Sequence, residues 1–135
     1  MIVTDTNLII YLTVANEQSE LVGRVFERDP VWVAPLLWRS EFRNALSKYI
    51  LHAGMNLEAA LLALHSAEDL IAGREYRVSS ERVLELVMQS KCSAYDCEFV
   101  ALAVELGVPL VTTDKQVLRA FPKLAWSPEN FLKQK

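Results

Sequence analysis

Four carboxylates stand where the neighbouring residues call for something apolar or for a turn. Asp5 ends the run Ile2-Val3-Thr4, Asp114 ends Val111-Thr112-Thr113-Asp114, and Glu41 and Asp96 fall on the inward faces of helical segments. A buried anion without a partner is costly and usually takes up a proton, so acids that converge need a compensating cation. Oxygen donors of this kind suit Mg²⁺ or Mn²⁺, which keep several waters and leave room for a phosphate oxygen. Such an ion eases deprotonation of a water bound to it. No other apparatus competes for the role. Cys92 and Cys97 lack CxxC spacing, His52 and His65 lack HExxH spacing, and no Ser-His-Asp arrangement is suitably placed.

The elements that hold these acids follow from periodicity. Residues 1 to 4 read as a buried strand, and Asp5-Thr6-Asn7 offers capping side chains for a helix through Leu8, Ile9, Tyr11 and Leu12. A helix over 17 to 28 ends at Asp29-Pro30, and Val31-Trp32-Val33 makes a second strand. Pro35 suits the first turn of a helix over 35 to 52, whose stripe of Leu37, Trp38, Phe42, Ala45, Leu46 and Tyr49 includes Glu41 by its spacing. Gly54 and Asn56 separate it from a Leu-rich helix over 57 to 71. Tyr76 to Val78 reads as a short strand or a turn, followed by a helix capped by Ser79 or Ser80. A further helix opens at Ser93 or Ala94 and carries Asp96, Phe99, Val100, Ala103 and Val104 on one face, with Glu98 and Glu105 on a solvated flank. Val108 to Thr112 is a strand and Thr113-Asp114-Lys115 turns into a short helix, while Leu124 to Trp126 makes an edge strand before a last turn capped by Ser127. Strands that alternate with helices specify an α/β fold around a mainly parallel sheet, with its ligand site beyond the carboxyl ends of the strands.

Composition narrows the class. A chain of 135 residues with 52% hydrophobic content forms one domain over residues 1–135 with a substantial core. The start Met-Ile-Val-Thr-Asp has no basic segment ahead of an apolar one, and no apolar run reaches the roughly 18 residues of a membrane span, so a cytoplasmic location with no membrane partner and reduced, structural cysteines is expected. The net charge of −3 gives no global attraction to nucleic acid. Local cations can still hold phosphates: Arg39 and Arg43 near Glu41, and Lys115 and Arg119 near Asp114, are the positions for that, with a solvated surface as the plainer reading.

The sequence resembles the PIN-domain family, and within it the small VapC-like toxins of toxin–antitoxin pairs. The likeness spans nearly the whole chain and rests on Ile2-Val3-Thr4-Asp5-Thr6-Asn7, Ser40-Glu41-Phe42 with Asn44-Ala45-Leu46, Ser93-Ala94-Tyr95-Asp96 with Ala101-Leu102-Ala103, and Pro109-Leu110-Val111-Thr112-Thr113-Asp114. No one of these motifs is specific alone; their order and spacing are. The resemblance implies a three-layer α/β/α fold and a Mg²⁺- or Mn²⁺-dependent endoribonuclease that leaves a 5′-phosphate and a 3′-hydroxyl, with Asp5, Glu41, Asp96 and Asp114 as metal ligands. It also implies lesser roles near the acids for Asn7 and for Thr112, both of which equally suit caps or turns. Glu98 is open, since helix spacing puts it on the rim while some relatives bring an extra acid inward from this stretch.

Other readings fit less well. A haloacid-dehalogenase-type phosphotransferase needs a second acid two residues after the first, where Asn7 stands, and a receiver domain needs adjacent acids near its start. Within the family the alternatives are a housekeeping nuclease that matures stable RNA, or a binding module that has lost its chemistry. The toxin reading implies a cognate antitoxin, whose acidic-hydrophobic tail would block the groove. Leu61, Leu62, Leu64 and Leu70 give the Leu-rich helix more apolar surface than one core needs, and with the family resemblance this points to a homodimer.

Overall fold

The computed structural model describes all 135 residues. Its centre is β1 (Ile2–Thr4), every residue of which is buried. On one side β1 pairs with β2 (Trp32–Pro35), which pairs with β3 (Glu75–Tyr76). On the other it pairs with β4 (Leu110–Val111), which pairs with β5 (Ala125–Trp126). All four pairings are parallel, in the order β3-β2-β1-β4-β5. Parallel neighbours need crossovers, and helices supply them: α1 (Thr6–Thr13) and α2 (Ser19–Arg28), α3 (Trp38–Ala53) and α4 (Leu57–Ile71), α5 (Ser80–Ser90) and α6 (Ala94–Leu106), then α7 (Lys115–Ala120), with α8 (Pro128–Lys133) last.

The result is a three-layer α/β/α fold. α6, backed by α5, lies against β1, β2 and β4, and its Phe99–Ala103 stretch is wholly buried, as expected of a helix hydrophobic nearly all round. α1, α3 and α4 pack on one another, with α1 against β1 and α4 against β2. Trp32, Trp38 and Phe42 are the largest fully buried side chains of the core, the last two meeting edge to face at 5.6 Å.

The strand order fixes where a site can form. From β1 the chain winds outward through β2 and β3, then returns to place β4 on the opposite side of β1. The order in which strands are added therefore reverses between β1 and β4, and the crevice beyond their carboxyl ends is where such sheets bind ligands.

Three local expectations change. Pro35 ends β2 beside Tyr76 in place of opening α3, which begins at Trp38; having no N–H, proline is tolerated here because the ladder bond comes from Leu36 N to Tyr76 O. The strand expected over 108–112 shrinks to Leu110–Val111, although Thr112 N still donates to Trp126 O. Val104 is exposed, because α6 needs no fifth inward position at its far end.

Candidate active site at the sheet switch point

All four acids reach one cleft of about 570 Å³ at this switch point. Each sits at the start of a helix. Asp5 is the N-cap of α1, its Oδ1 accepting from Leu8 N at 3.1 Å, and Asp114 is the N-cap of α7, its Oδ1 accepting from Val117 N at 3.0 Å. Asp96 lies in the first turn of α6, whose cap is Ser93, and Glu41 in the first turn of α3. The later start of α3 brings Glu41 from the body of its expected helix to the end that faces the crevice, while Asp96 lies in the first turn of a helix that opens where the sequence put it.

Hydroxyl groups aim these acids. Thr112 donates to Asp5 Oδ2 and accepts from Asp114 N at 3.0 Å, so one side chain ties the β1 acid to the β4 acid. Thr113 N adds a second bond to Asp5 Oδ2 at 3.2 Å. Thr6, buried at the start of α1, donates to Glu41 Oε1 at 2.7 Å. Thr6 was not singled out from sequence, where it reads as a cap beside Asp5.

Burial first, and like charges second, set the electrostatics of these acids. Enclosure by protein pushes the Asp5 carboxyl up from 3.8 to about 6, against three hydrogen bonds that favour its anion, and nearby Asp114 pushes the same way. A shift of that size is worth on the order of 3 kcal/mol, more than the roughly 0.3–1 kcal/mol a helix N-terminus returns. Burial therefore outweighs the dipole. Glu41 is raised by burial, then by Asp96 and Glu98, with Thr6 opposing; Asp96 is raised by burial, then by Asp114. Glu98 is half-buried and raised by burial, and it stands near enough to act on Glu41 without lining the cleft, so its carboxylate is less solvated than its helical flank suggested.

The donors suit a hard divalent ion in kind. They are all oxygens, and Glu41 Oε2 and Asp114 Oδ2 accept no hydrogen bond from the protein. No three Asp, Glu, His or Cys side chains stand together as a ready-made cage. That spread matches an ion that keeps several waters and is held by one or two carboxylates at a time.

Of the other sequence-picked residues, Asn7 and Thr112 line the cleft, whereas Arg39, Arg43, Lys115 and Arg119 do not. Arg39 is already neutralised, pairing with Glu68 at 2.8 Å and with Glu75, so it is withdrawn as a phosphate contact. Arg43 is exposed and donates to Ser40 Oγ at 3.2 Å; Lys115 and Arg119 are exposed on α7. The cleft's one cation is Lys48, accompanied by Tyr11, Asn44 and Tyr49. Spacing alone could have found Lys48, two helical turns after Glu41 on the same face of α3.

A parallel sheet with acids gathered at its switch point defines a class, and the sequence places the molecule in it: residues 2–124 match the PIN domain model, and the chain belongs to the PIN-domain family. It is similar to Ribonuclease VapC1 of Mycobacterium tuberculosis, with 30% identity over 120 residues covering 87% of this chain and 89% of that one. Its fold matches PAE2754 from Pyrobaculum aerophilum (TM-score 0.75, 20% identity, 97% and 92% of the two chains). It also matches a chain of a toxin–antitoxin complex from Klebsiella pneumoniae (TM-score 0.69, 18% identity, 95% and 98%).

Proposed function

We propose that this chain is a divalent-metal-dependent endoribonuclease acting as the toxin of a toxin–antitoxin pair. The observation that carries the reading is the meeting of Asp5, Glu41, Asp96 and Asp114, from four separate segments, in one cleft where the strand order reverses. Similarity to a protein named as a ribonuclease supports RNA as the substrate. The fold shared with a chain of a toxin–antitoxin complex supports an antitoxin partner.

Asp5, Glu41, Asp96 and Asp114 would hold Mg²⁺ or Mn²⁺ one or two carboxylates at a time, with water filling the other positions. When bound, the ion supplies Lewis-acid stabilisation of the phosphate and a more acidic water. Thr112 holds Asp5 and Thr6 holds Glu41 in fixed orientations, leaving Glu41 Oε2 and Asp114 Oδ2 free toward the cleft. Water attacks phosphorus in line, the bond to the 3′ oxygen breaks, and that oxygen takes a proton, leaving a 3′-hydroxyl and a 5′-phosphate.

Partners follow from two surfaces. An antitoxin tail would lie in the cleft, covering its apolar wall and masking the acids. Along α3 and α4 the apolar side chains Ile50, Leu51, Leu57, Leu61 and Leu62 are exposed, and we assign them to a homodimer contact. No helix is long and apolar enough to cross a membrane.

The test is cleavage of a mixed transfer and ribosomal RNA pool by purified protein with Mg²⁺ or Mn²⁺, beside EDTA and Asp96→Asn controls. Metal-dependent cuts lost in the variant are expected. No cutting by folded, partner-free protein with either metal sinks the reading. Light scattering at micromolar concentration checks the dimer, which a monomeric mass refutes.

A further inference from the structure

Three helices end on a residue with positive φ. α3 and α6 use Gly54 and Gly107 there, as the left-handed region favours, whereas α5 ends on Lys91 at φ 62°, the chain's one non-glycine residue of that kind. The C-terminal dipole of α5 welcomes a cation, yet α3 and α6 close without one at the cap. A side chain kept where glycine costs less points to work done by its ammonium.

Lys91 does not stand alone. Its carbonyl accepts from Gln116 Nε2 at 3.5 Å, which sets the end of α5 beside α7, and α7 carries Lys115 and Arg119 one turn apart. All three cations are exposed, and none takes part in an ion pair. From Lys115 to Ser127 the chain holds three cations and no acid, so this surface is locally positive although the whole molecule carries −3.

The rim borders the acids without entering their cleft. Lys115 follows Asp114, and Tyr95, 64% exposed, precedes Asp96 in the first turn of α6. Lys91, Tyr95, Lys115 and Arg119 all lie outside the lining of the cleft. An aromatic face beside unpaired cations suits bases as well as phosphates, and so favours nucleic acid over an acidic peptide.

We propose that Lys91, Lys115 and Arg119, with Tyr95 beside them, form a second RNA-binding surface outside the cleft, which grips the phosphate backbone of a strand running over α7. The surface rests on the nuclease reading and deepens it: the substrate is an RNA long enough to extend beyond the cleft, and these residues set its affinity and not the chemical step.

The test is fluorescence anisotropy of end-labelled transfer RNA in EDTA, where metal-dependent cutting is silent. Wild type is compared with Lys91→Gly, Tyr95→Ala, and a variant that combines Lys91→Gly, Lys115→Ala and Arg119→Ala. Lys91→Gly should melt no lower than wild type by circular dichroism, since glycine suits the backbone there, yet bind severalfold more weakly. Earlier melting would show the side chain to be structural and overturn its role. The combined variant should lose at least about tenfold in affinity and about 2 from the slope of log affinity against log salt. Tyr95→Ala should weaken binding with the slope unchanged. With Mg²⁺ and saturating RNA the combined variant should cut at the wild-type rate, its half-saturating concentration raised. Equal affinities and slopes across the set overturn the surface, and they do so even if wild type cuts RNA, in which case the nuclease reading stands. Unchanged RNA binding with weakened binding of polyglutamate overturns RNA as the occupant in favour of an acidic protein. Wild type that binds through these residues but cuts nothing with either metal overturns the nuclease reading alone, and folded wild type that does neither overturns both.

Discussion

Arg39 and Glu41 lie two residues apart on α3, yet they belong to clusters built on opposite principles. Arg39 pairs with Glu68 and Glu75, lies over the Trp38 ring at 5.4 Å, and shares Glu75 with the Trp38 indole N–H at 2.7 Å. Charges there cancel, and the Arg39 bonds pull the Glu75 carboxyl below its usual range. That cluster fastens α3 to α4 and β3. Around Glu41 the acids are buried and their charges repeat, and burial first, then like charge, raises the carboxyls of Glu41, Asp5 and Asp96. One cluster lowers the energy of the fold while the other raises it, and acids perturbed in this way cluster at functional sites.

The sharpest way to break the comparison is Asp96→Asn, which should cost at least about 100-fold in metal-dependent RNA cleavage while thermal unfolding in EDTA is unchanged or shifted upward. A variant that unfolds earlier would show Asp96 to be structural. Thr112→Val comes next. Losing the hydroxyl that bridges Asp5 and Asp114 should lower cleavage about 10-fold and move the acid limb of the pH–rate profile to higher pH, because Asp5 loses its strongest stabilising bond. Glu75→Gln should do the reverse of both, lowering stability by about 1 kcal/mol in urea unfolding, a modest figure because Arg39 is partly exposed. Its cleavage rate below the melting temperature should match wild type.

The smallest effect is in pH, and its sign separates the clusters. Asp5 has a folded-state value near 6 and a reference of 3.8, so ionising it opposes folding; that penalty is full above about 6 and fades as pH falls toward 4. Glu41 and Asp96 shift in the same direction, whereas the lowered Glu75 stabilises above its ordinary value and loses that benefit on further acidification. Melting temperature in EDTA should therefore rise modestly from pH 7 to 5 and fall below that, and Mg²⁺ should flatten the first limb. A monotonic fall from pH 7 would mean the acids are better solvated than their burial implies.

Legibility from sequence followed the range of the interactions. Asp5 and Asp114 were readable because a strand end and a helix cap are local events, and the inward faces of Glu41 and Asp96 because helical spacing is local too. Pro35 misled because the same residue suits a helix start and a strand end, and its strand partner Tyr76 is far along the chain. β3, two residues long, carries too little periodicity to separate strand from turn. Arg39 looked free because Glu68 and Glu75 lie 29 and 36 residues away, and no pattern within α3 announces them. Tyr11, Tyr49 and Lys48 were hidden differently: their spacing was in view, but only the packing of α1 on α3 makes two faces into one cleft.

The bond from Thr112 to Asp5 closes a span of 107 residues. During synthesis, β1 and its acid emerge well before β4 and wait for those 107 residues before it can lie beside them. Closing so long a loop is entropically slow, and its cost is recovered only when the sheet is nearly whole. No nascent fragment that stops short of Asp114 can unite these acids, so the cleft stays open on one side until β4 has left the ribosome.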